Sequence, residues 1–276
     1  MPNGMPKTRK KIKLELPAGR KAYFVSDVHL GWPEARQSRE REKKFVEWLE
    51  TIEKNAGALF LVGDIFDFWF DYRHAVPKNF TRTLGQLARM TDRGIPVYFF
   101  YGNHDMWAGD YFRNETGMEI VPDEAEVLIN GKKFYVAHGD GLGPGDSTYK
   151  FLKKIFRHPL AQWLYRWLHP DLGIPLAGFF SRLSRQSADP DITRFLGPER
   201  EHLIQHSLQV LRNEPFDYFV YGHRHHTARH ELKPGIWYFN IGDWISLKSY
   251  AVFDEKDLKI HHFETNINKN DILNIR

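Results

Sequence analysis

The chain has 276 residues, of which 42% are hydrophobic and 27% are charged, and these near-average values exclude a disordered chain, a collagen and a coiled coil. Cysteine is absent, which excludes disulfides, iron–sulfur clusters and zinc–thiolate sites and leaves nitrogen and oxygen as the ligands for any metal. The formal charge of +4 is a mild bias towards anionic partners.

The first 20 residues are basic and precede the first apolar run. The cations between Lys7 and Lys13 are not followed by an apolar stretch, so the segment does not have the composition of a signal peptide. We predict that residues 1–20 are a solvated basic arm. No stretch of the chain approaches the ~18 apolar residues of a membrane span, and the predicted location is the cytoplasm.

Five short runs of β-branched and aromatic residues follow one another along the chain, and their near-continuous hydrophobicity predicts strands buried on both faces. They span residues 22–25, 58–62, 96–100, 133–136 and 217–220. Apolar residues at helical spacing lie between them at 45–52, at 81–93 and after Pro198. This alternation of strands and helices predicts an α/β fold.

The C-terminal part of the chain has a different pattern. Residues 236–240, 249–253 and 258–263 are predicted to be consecutive strands joined by short turns. We place a main domain at residues 21–142 and 199–265, and a C-terminal tail at residues 266–276.

Residues 143–198 interrupt the alternation, because they contain no convincing strand. Aromatic side chains and cations are concentrated there: Phe151, Phe156, Trp163, Tyr165, Trp167, Phe179 and Phe180, with Lys150, Lys153, Lys154, Arg157, Arg166, Arg182 and Arg185. We predict a helical insertion that is apolar on one side and cationic on the other. Two interpretations are open: a lid over an apolar substrate, or helices that pack on the domain with lysine stems lying over apolar surface.

Each of the five predicted buried strands ends in a cluster of side chains able to bind metal. The clusters are Asp27-Val28-His29, Gly63-Asp64-Ile65-Phe66-Asp67, Gly102-Asn103-His104-Asp105, His138-Gly139-Asp140 and Gly222-His223-Arg224-His225. In open α/β sheets ligands bind at the carboxyl ends of the strands, so we expect the clusters to meet at one rim. Asp105, Asp140 and Asp243 are expected to have supporting roles there, and His226 a structural one.

The residue types in these clusters select the metal. Imidazoles mixed with carboxylates and one amide suit Mn²⁺, Fe or Zn²⁺ better than Ca²⁺, which prefers oxygen ligands alone. The candidates are too many for one ion: Asp27, His29, Asp64, Asn103, His138, His223 and His225. They suit two ions bridged by Asp64, because a carboxylate spans metals about 3.5–4 Å apart, and such a pair favours in-line displacement at phosphorus.

The five clusters resemble, completely and in order, the motifs D-x-H, G-D-x-x-D, G-N-H-D, H and G-H-x-H of the calcineurin-like metallophosphoesterases. The resemblance implies a β-sandwich flanked by helices, which accommodates the antiparallel-looking C-terminal strands. It also implies the division of the ligands: one metal takes Asp27, His29, Asp64 and His225, and the other takes Asp64, Asn103, His138 and His223. His104 lies where the family uses a histidine beside the phosphoryl group, and Asp67 would orient it through a hydrogen bond.

A closer likeness, to the UDP-2,3-diacylglucosamine pyrophosphohydrolase family of lipid A synthesis, covers nearly the whole chain. It depends on the helical insertion and on two motifs with their neighbours: Gly63-Asp64-Ile65-Phe66-Asp67-Phe68-Trp69, and His138-Gly139-Asp140-Gly141-Leu142 with Asp146 and Tyr149. The resemblance implies hydrolysis of the diphosphate to UMP and 2,3-diacylglucosamine 1-phosphate, usually with Mn²⁺, under a lid formed by the insertion. The best-known branch has arginine at the position of His104, which places this chain in a divergent branch.

A nucleotide–lipid substrate needs an apolar cleft for acyl chains and cations for its diphosphate and for an anionic bilayer. The insertion offers both, which predicts peripheral attachment to the cytoplasmic face of the inner membrane. Candidate substrate contacts lie at its end: Arg182, Arg185 and Ser187.

Other functions share part of the pattern. A nuclease of the same superfamily has the same five motifs, but the aromatic helical insertion and the lack of an appended DNA-capping domain disfavour nucleic acid as the partner. A soluble nucleotide or phosphodiester hydrolase is the alternative if the insertion is only structural. A metal-free scaffold is the least favoured, because every ligand is present.

Overall fold

The computed structural model describes residues 9–145, 147–186, 193–263 and 272–274. In chain order its strands are β1 (Lys10–Leu14), β2 (Lys21–Val25), β3 (Ala56–Val62), β4 (Val97–Phe100), β5 (Glu119–Val121), β6 (Ala125–Ile129), β7 (Lys132–Ala137), β8 (Tyr218–Tyr221), β9 (Thr227–Lys233), β10 (Ile236–Ile241), β11 (Ser249–Phe253), β12 (Leu258–His262) and β13 (Ile272–Asn274). Its helices are α1 (Ala35–Glu53), α2 (Thr81–Asp92), α3 (Tyr111–Thr116), α4 (Ser147–Phe156), α5 (Pro159–Arg166), α6 (Pro170–Gln186) and α7 (His202–Val210).

The strands form two sheets. One has seven strands in the order β1-β6-β7-β8-β10-β9-β13, and the other has six in the order β12-β11-β2-β3-β4-β5. In the six-stranded sheet β2, β3, β4 and β5 are parallel, and β11 and β12 form an antiparallel pair beside them. In the seven-stranded sheet β7, β8 and β10 are parallel. The carboxyl ends of the central strands of each sheet therefore lie at one edge.

The central strands are buried on both faces because alternate side chains enter different hydrophobic cores. Phe24 and Phe60 of the six-stranded sheet pack with Phe134 of the other sheet. On the opposite face, Leu61 packs in a core formed with α1, α2 and α3, and Tyr135 packs in a third core with α7. The layers are helices, sheet, sheet and helix, which confirms the predicted β-sandwich flanked by helices.

The apolar runs became strands as predicted. The five runs form β2, β3, β4, β7 and β8, and the three predicted helices correspond to α1, α2 and α7. The C-terminal runs form β10, β11 and β12, but the three strands do not all lie in the same sheet. β10 lies in the seven-stranded sheet, whereas β11 and β12 pair with each other in the six-stranded sheet.

The prediction of a solvated basic arm is wrong for residues 10–14. They form β1, which pairs in parallel with β6, and Ile12 is only 6% exposed. Lysines alternate with Ile12 and Leu14, as expected of an edge strand with one buried face, and lysines on an edge also discourage pairing with another chain. The predicted C-terminal tail likewise contains a strand, since β13 pairs with β9.

Two glycines, one inside α2 and one just after it, lead to opposite predictions for substitution by alanine. Gly85 lies exposed inside α2, and an added Cβ meets no atom within 4 Å. We expect Gly85→Ala to raise the free energy of unfolding by about 0.5–1 kcal/mol, because alanine loses less backbone entropy in a helix. Gly94 follows the helix at φ 78° and closes it by donating from N to Thr91 O, so Gly94→Ala should lower that free energy by about 1 kcal/mol.

Denaturant unfolding followed by circular dichroism measures both changes against the unsubstituted chain. Shifts of the same sign in the two variants would contradict the assignment of Gly85 to a helix interior and Gly94 to a helix end.

Candidate metal centre

The predicted ligands follow three strands of the six-stranded sheet and two of the seven-stranded sheet, and they lie together at the edge where the carboxyl ends meet. They are Asp27 and His29 after β2, Asp64 after β3, Asn103 after β4, His138 after β7, and His223 and His225 after β8. Parallel strands deliver their carboxyl ends to the same side, so residues far apart in sequence converge here.

Asp64 lies in the middle of this cluster. Its Oδ2 is 3.3 Å from His138 Nε2 and 3.8 Å from His29 Nε2. Beside it, Asp27 Oδ1 is 3.3 Å from His225 Nε2 and 3.7 Å from His29 Nε2. Nitrogen and carboxylate oxygen atoms this close, directed towards one another in a buried site, are arranged to share a cation.

The remaining two predicted ligands, Asn103 and His223, lie beside His138. Asn103 Oδ1 is 3.3 Å from His138 Nε2, and the ring centroids of His138 and His223 are 5.2 Å apart. The main-chain N of His223 donates to Asp27 Oδ2 over 2.8 Å, which ties the two halves of the cluster together. Asp64 is therefore close to predicted ligands from both sheets, as a carboxylate that bridged two cations would have to be.

Two of the imidazoles, those of His138 and His29, have a hydrogen-bond acceptor at Nδ1, which directs Nε2 into the cluster, and His225 has a carboxylate near Nδ1. His138 Nδ1 is 2.9 Å from a main-chain oxygen at the end of β3. His29 Nδ1 is 3.3 Å from Asp67 Oδ1, and His225 Nδ1 is 3.6 Å from Asp243 Oδ2. Asp243 is too far from His225 Nδ1 for a hydrogen bond and supports its own turn, where its Oδ1 accepts from the main-chain N of Ser246 and Leu247.

Five ligands have left-handed backbone conformations, which non-glycine residues adopt at a cost of about 1–3 kcal/mol each. Their φ angles run from 48° to 68°, at Asp27, His29, Asp64, His223 and His225. Two neighbouring glycines leave the room that these side chains need. A Cβ on Gly63 would lie 2.6 Å from a ring nitrogen of His138, and one on Gly102 would overlap the carboxylate of Asp64.

Burial and charge act against each other on the ligands. Burial raises the pKa of Asp64, but the adjacent His138 outweighs it and holds that pKa well below its usual range. Burial lowers the pKa of His138, yet the Asp64 carboxylate raises it to about 10, and His225 is raised to about 10 in the same way by Asp27. Without a cation, His138 and His225 are therefore protonated at neutral pH.

The donor set fits two divalent cations. It combines four imidazoles, two carboxylates and one amide, the mixture that suits first-row transition metals. The buried Oδ1 of Asp27 accepts no well-aligned hydrogen bond from the described part of the chain. A buried oxygen without such a partner is costly, and a cation removes that cost.

Binding of Mn²⁺ at pH 7 is expected to release protons, because His138 and His225 bind metal only as neutral imidazoles. Their pKa of about 10 lies above the working pH, so the apparent affinity should rise as the pH increases from 6 to 9. Calorimetric titration in two buffers of different ionisation enthalpy counts the protons released. An enthalpy of binding that does not depend on the buffer would contradict the prediction.

His104 and Asp67 lie beside the cluster, but not in the predicted arrangement. His104 Nδ1 is 2.9 Å from the main-chain O of Asp67, whereas Oδ1 of the Asp67 carboxylate is 3.7 Å away, too far for a hydrogen bond. That oxygen is closer to His29, at 3.3 Å from Nδ1. The main chain of Asp67 therefore orients His104, whereas Oδ1 of its carboxylate lies closer to His29, a predicted metal ligand.

Asp105 holds together the loops that carry Asp64 and Asn103. Its carboxylate accepts hydrogen bonds from the main-chain N of Gly102 at 2.9 Å and of Ile65 at 2.8 Å. Burial and the negative charge of Asp64 raise the pKa of Asp105 to about 7. This is the supporting role expected from the sequence.

The predicted insertion is described at residues 143–145, 147–186 and 193–198, and it contains three helices, α4, α5 and α6, joined by short turns. Two of its cations pair with acids of the main domain instead of lining a cationic face. Lys153 Nζ lies 2.5 Å from Asp140 Oδ2, and Arg157 forms an ion pair with Asp123. Tyr149 also donates to Asp140, over 2.6 Å. These contacts hold α4 against the strand end that carries His138.

The predicted substrate contacts are at the end of α6. The backbone of Arg182 and Arg185 belongs to this helix, but their side chains lie outside the described part of the structure, as does the whole of Ser187. Ser181 was not predicted, because a serine at one helical position carries no sequence signal. Its Oγ is 3.2 Å from Asp67 Oδ2 and 3.4 Å from His104 Nδ1.

Comparison with known proteins gives consistent matches. Residues 20–227 match the model of the calcineurin-like phosphoesterase family. The chain is 36% identical over 256 residues to a UDP-2,3-diacylglucosamine hydrolase of Porphyromonas gingivalis, a match that covers 88% of this chain and 98% of that protein. Proteins of the same name match at 28% identity in Actinobacillus succinogenes, covering 87% and 98%, and at 26% in Histophilus somni, covering 82% and 92%.

Proposed function

The chain belongs to the calcineurin-like phosphoesterase family, and from this premise we propose that it hydrolyses the pyrophosphate bond of UDP-2,3-diacylglucosamine to UMP and 2,3-diacylglucosamine 1-phosphate. The main support is a buried cluster of candidate metal ligands around Asp64. An apolar insertion contacts the adjacent His104 through Ser181. Relatives that match most of the chain are named for hydrolysis of this substrate.

The cluster holds two divalent cations, which we propose to be Mn²⁺, with Fe or Zn²⁺ as alternatives. When bound, such a pair acidifies water and neutralises charge on a phosphoryl oxygen. The chain's own part is to set the positions of the ligands before substrate arrives. Asp67 does this for His29, and the Asp105 carboxylate does it for the loops of Asp64 and Asn103.

His104 is placed to interact with the phosphoryl group. The acceptor at its Nδ1 is a main-chain oxygen, so the proton belongs on Nδ1 and Nε2 is available to the site. A ring nitrogen of His104 lies within 4.8 Å of ligand atoms of His29 and Asp64. A group at this position contributes most when it stabilises the charge that develops in the transition state.

The insertion is suited to bind acyl chains. Every large hydrophobic side chain that is exposed in the described part of the chain lies in this region: Phe151, Leu152, Ile155, Phe156, Leu160, Trp163, Leu164, Trp167, Leu168, Leu172, Leu176, Phe179 and Phe180. So much exposed apolar surface in one place marks a binding site. This concentration favours the lid over helices that merely pack on the domain.

The same surface supports peripheral attachment to the cytoplasmic face of the inner membrane. Among the described helices, none is both long enough and apolar enough to cross a bilayer. Trp163 and Trp167 are 52% and 75% exposed, and aromatic side chains favour the interface between headgroups and acyl chains. Lys154, also exposed, lies on α4 among these apolar residues, where an anionic surface attracts it.

Release of UMP from UDP-2,3-diacylglucosamine in the presence of Mn²⁺ tests the proposal directly. Bis-p-nitrophenyl phosphate and single-stranded DNA serve as the comparison substrates. We expect a kcat/KM for the lipid that exceeds both by orders of magnitude. Hydrolysis of DNA without hydrolysis of the lipid would assign the chain to the nucleases. Hydrolysis of bis-p-nitrophenyl phosphate alone would indicate a soluble phosphodiester hydrolase in which the insertion is only structural.

A further inference from the structure

Ser181 connects the helical insertion to the two side chains beside the metal cluster. It lies on α6, 77 residues along the chain from His104 and 114 from Asp67. Its Oγ is 3.2 Å from Asp67 Oδ2 and 3.4 Å from His104 Nδ1, so that both groups are within hydrogen-bonding distance. Ser181 belongs to the helical insertion, so the hydroxyl in both contacts comes from outside the main domain.

The hydroxyl bridges two groups whose nearest side-chain atoms are too far apart to bond. Asp67 Oδ1 and His104 Nδ1 are 3.7 Å apart. A carboxylate only accepts hydrogen bonds, whereas a serine hydroxyl both donates and accepts. The O–H of Ser181 therefore donates to Asp67 Oδ2, and its oxygen accepts from the Nδ1–H of His104, which also donates to the main-chain O of Asp67 at 2.9 Å.

The main-chain acceptor fixes the tautomer of His104, and the second acceptor at Nδ1 limits the rotation of the imidazole. We infer that Ser181 is a positioning residue, which bridges Asp67 and His104 and makes the orientation of His104 depend on how α6 sits on the main domain. The inference rests on the proposed function in one respect, since it requires a phosphoryl hydrolysis in which His104 takes part.

The position of α6 on the main domain is set near the start of the helix, while apolar side chains near its end are exposed. Near its start, the Tyr165 hydroxyl donates to Gly173 O over 2.6 Å, and the Tyr165 ring lies 4.7 Å from that of Phe70 in the main domain. Near its end, Phe179 and Phe180 directly precede Ser181 and are 53% and 57% exposed. An apolar ligand that covers these two rings acts on the same turn of helix that carries the hydroxyl, so binding of the lipid part of a substrate is communicated to His104.

Kinetics of Ser181→Ala and Ser181→Thr, each loaded with Mn²⁺, test the inference on two substrates. On both UDP-2,3-diacylglucosamine and bis-p-nitrophenyl phosphate we expect Ser181→Ala to lower kcat about tenfold and to change KM by less than about twofold. Ser181→Thr retains the hydroxyl and should restore kcat to within about threefold of the unsubstituted chain. Thr51→Ala, which removes an exposed hydroxyl on α1, is the matched control and should leave both constants unchanged.

A spectroscopic measurement separates positioning from a general loss of structure. In the Mg²⁺-loaded protein, the ¹⁵N shifts of His104 should report Nδ1–H in all three chains, because the main-chain acceptor remains, and the Nδ1 resonance should move in Ser181→Ala but not in Ser181→Thr. An unchanged kcat in Ser181→Ala, or a loss confined to KM for the lipid, would overturn the inference. Turnover of bis-p-nitrophenyl phosphate that depends on Ser181, without any release of UMP from the lipid, would uphold the inference and reject the proposed function.

Discussion

Asp64→Asn should lower Mn²⁺-dependent turnover by about a thousandfold or more while the chain still folds. Asparagine keeps the shape of the side chain and tolerates the left-handed conformation of this position, at φ 54°. It removes the negative charge that lies 3.3 Å from His138 and 3.8 Å from His29. A neutral amide cannot bridge two divalent cations as a carboxylate does, so both metals should bind more weakly.

Three measurements on one preparation test this expectation. They are kcat as a function of Mn²⁺ concentration, bound metal by elemental analysis, and thermal unfolding by circular dichroism. Asp92→Asn makes the same chemical change at an exposed position at the end of α2 and should have unchanged turnover and metal content. Full activity of Asp64→Asn with two bound ions would remove Asp64 from the bridging position.

His104→Ala should lower kcat by about 100-fold to 1000-fold and change KM by less than about threefold. His104 belongs to the loop that follows β4, and its main-chain N donates to Asp64 Oδ1 over 2.8 Å, so the backbone remains anchored when the imidazole is removed. An interaction that forms mainly in the transition state affects kcat rather than substrate binding. Removal of one preorganised hydrogen-bond donor from an active site typically lowers kcat by about this factor.

Steady-state kinetics on the lipid and on bis-p-nitrophenyl phosphate give both constants. His74→Ala is the matched control, since His74 is exposed and outside the cluster. Equal kcat values for His104→Ala and the unsubstituted chain would exclude His104 from the reaction. A rise in KM with kcat unchanged would assign it to ground-state binding instead.

The local sequence was sufficient to predict the central strands and the side chains that lie together at their carboxyl ends. Strands buried on both faces have a nearly continuous apolar composition, which needs no knowledge of their partners. The ligand clusters directly follow these strands, so recognising the strand also placed the ligand at a carboxyl end. Edge strands lack this signal. In β1 lysines surround Ile12, so the sequence pattern predicted a solvated arm where the structure has a strand.

The polar contacts around the site were less predictable. The sequence predicted a hydrogen bond between Asp67 and His104. In the structure Asp67 Oδ1 lies 3.3 Å from His29 Nδ1 and 3.7 Å from His104 Nδ1. The energy of a hydrogen bond falls steeply over such an interval. Residue types alone do not resolve it.

The sequence by itself predicted a site for divalent cations with nitrogen and oxygen ligands at the carboxyl ends of the strands, because side-chain chemistry and the order of the strands are local properties of the chain. The tertiary structure alone decided which groups orient His104, because Ser181 approaches from a helix far along the chain. It also decided that Lys153 and Arg157 neutralise Asp140 and Asp123. Contacts between distant segments depend on how helices and sheets pack, and no local pattern in the chain encodes those positions to within a few tenths of an ångström.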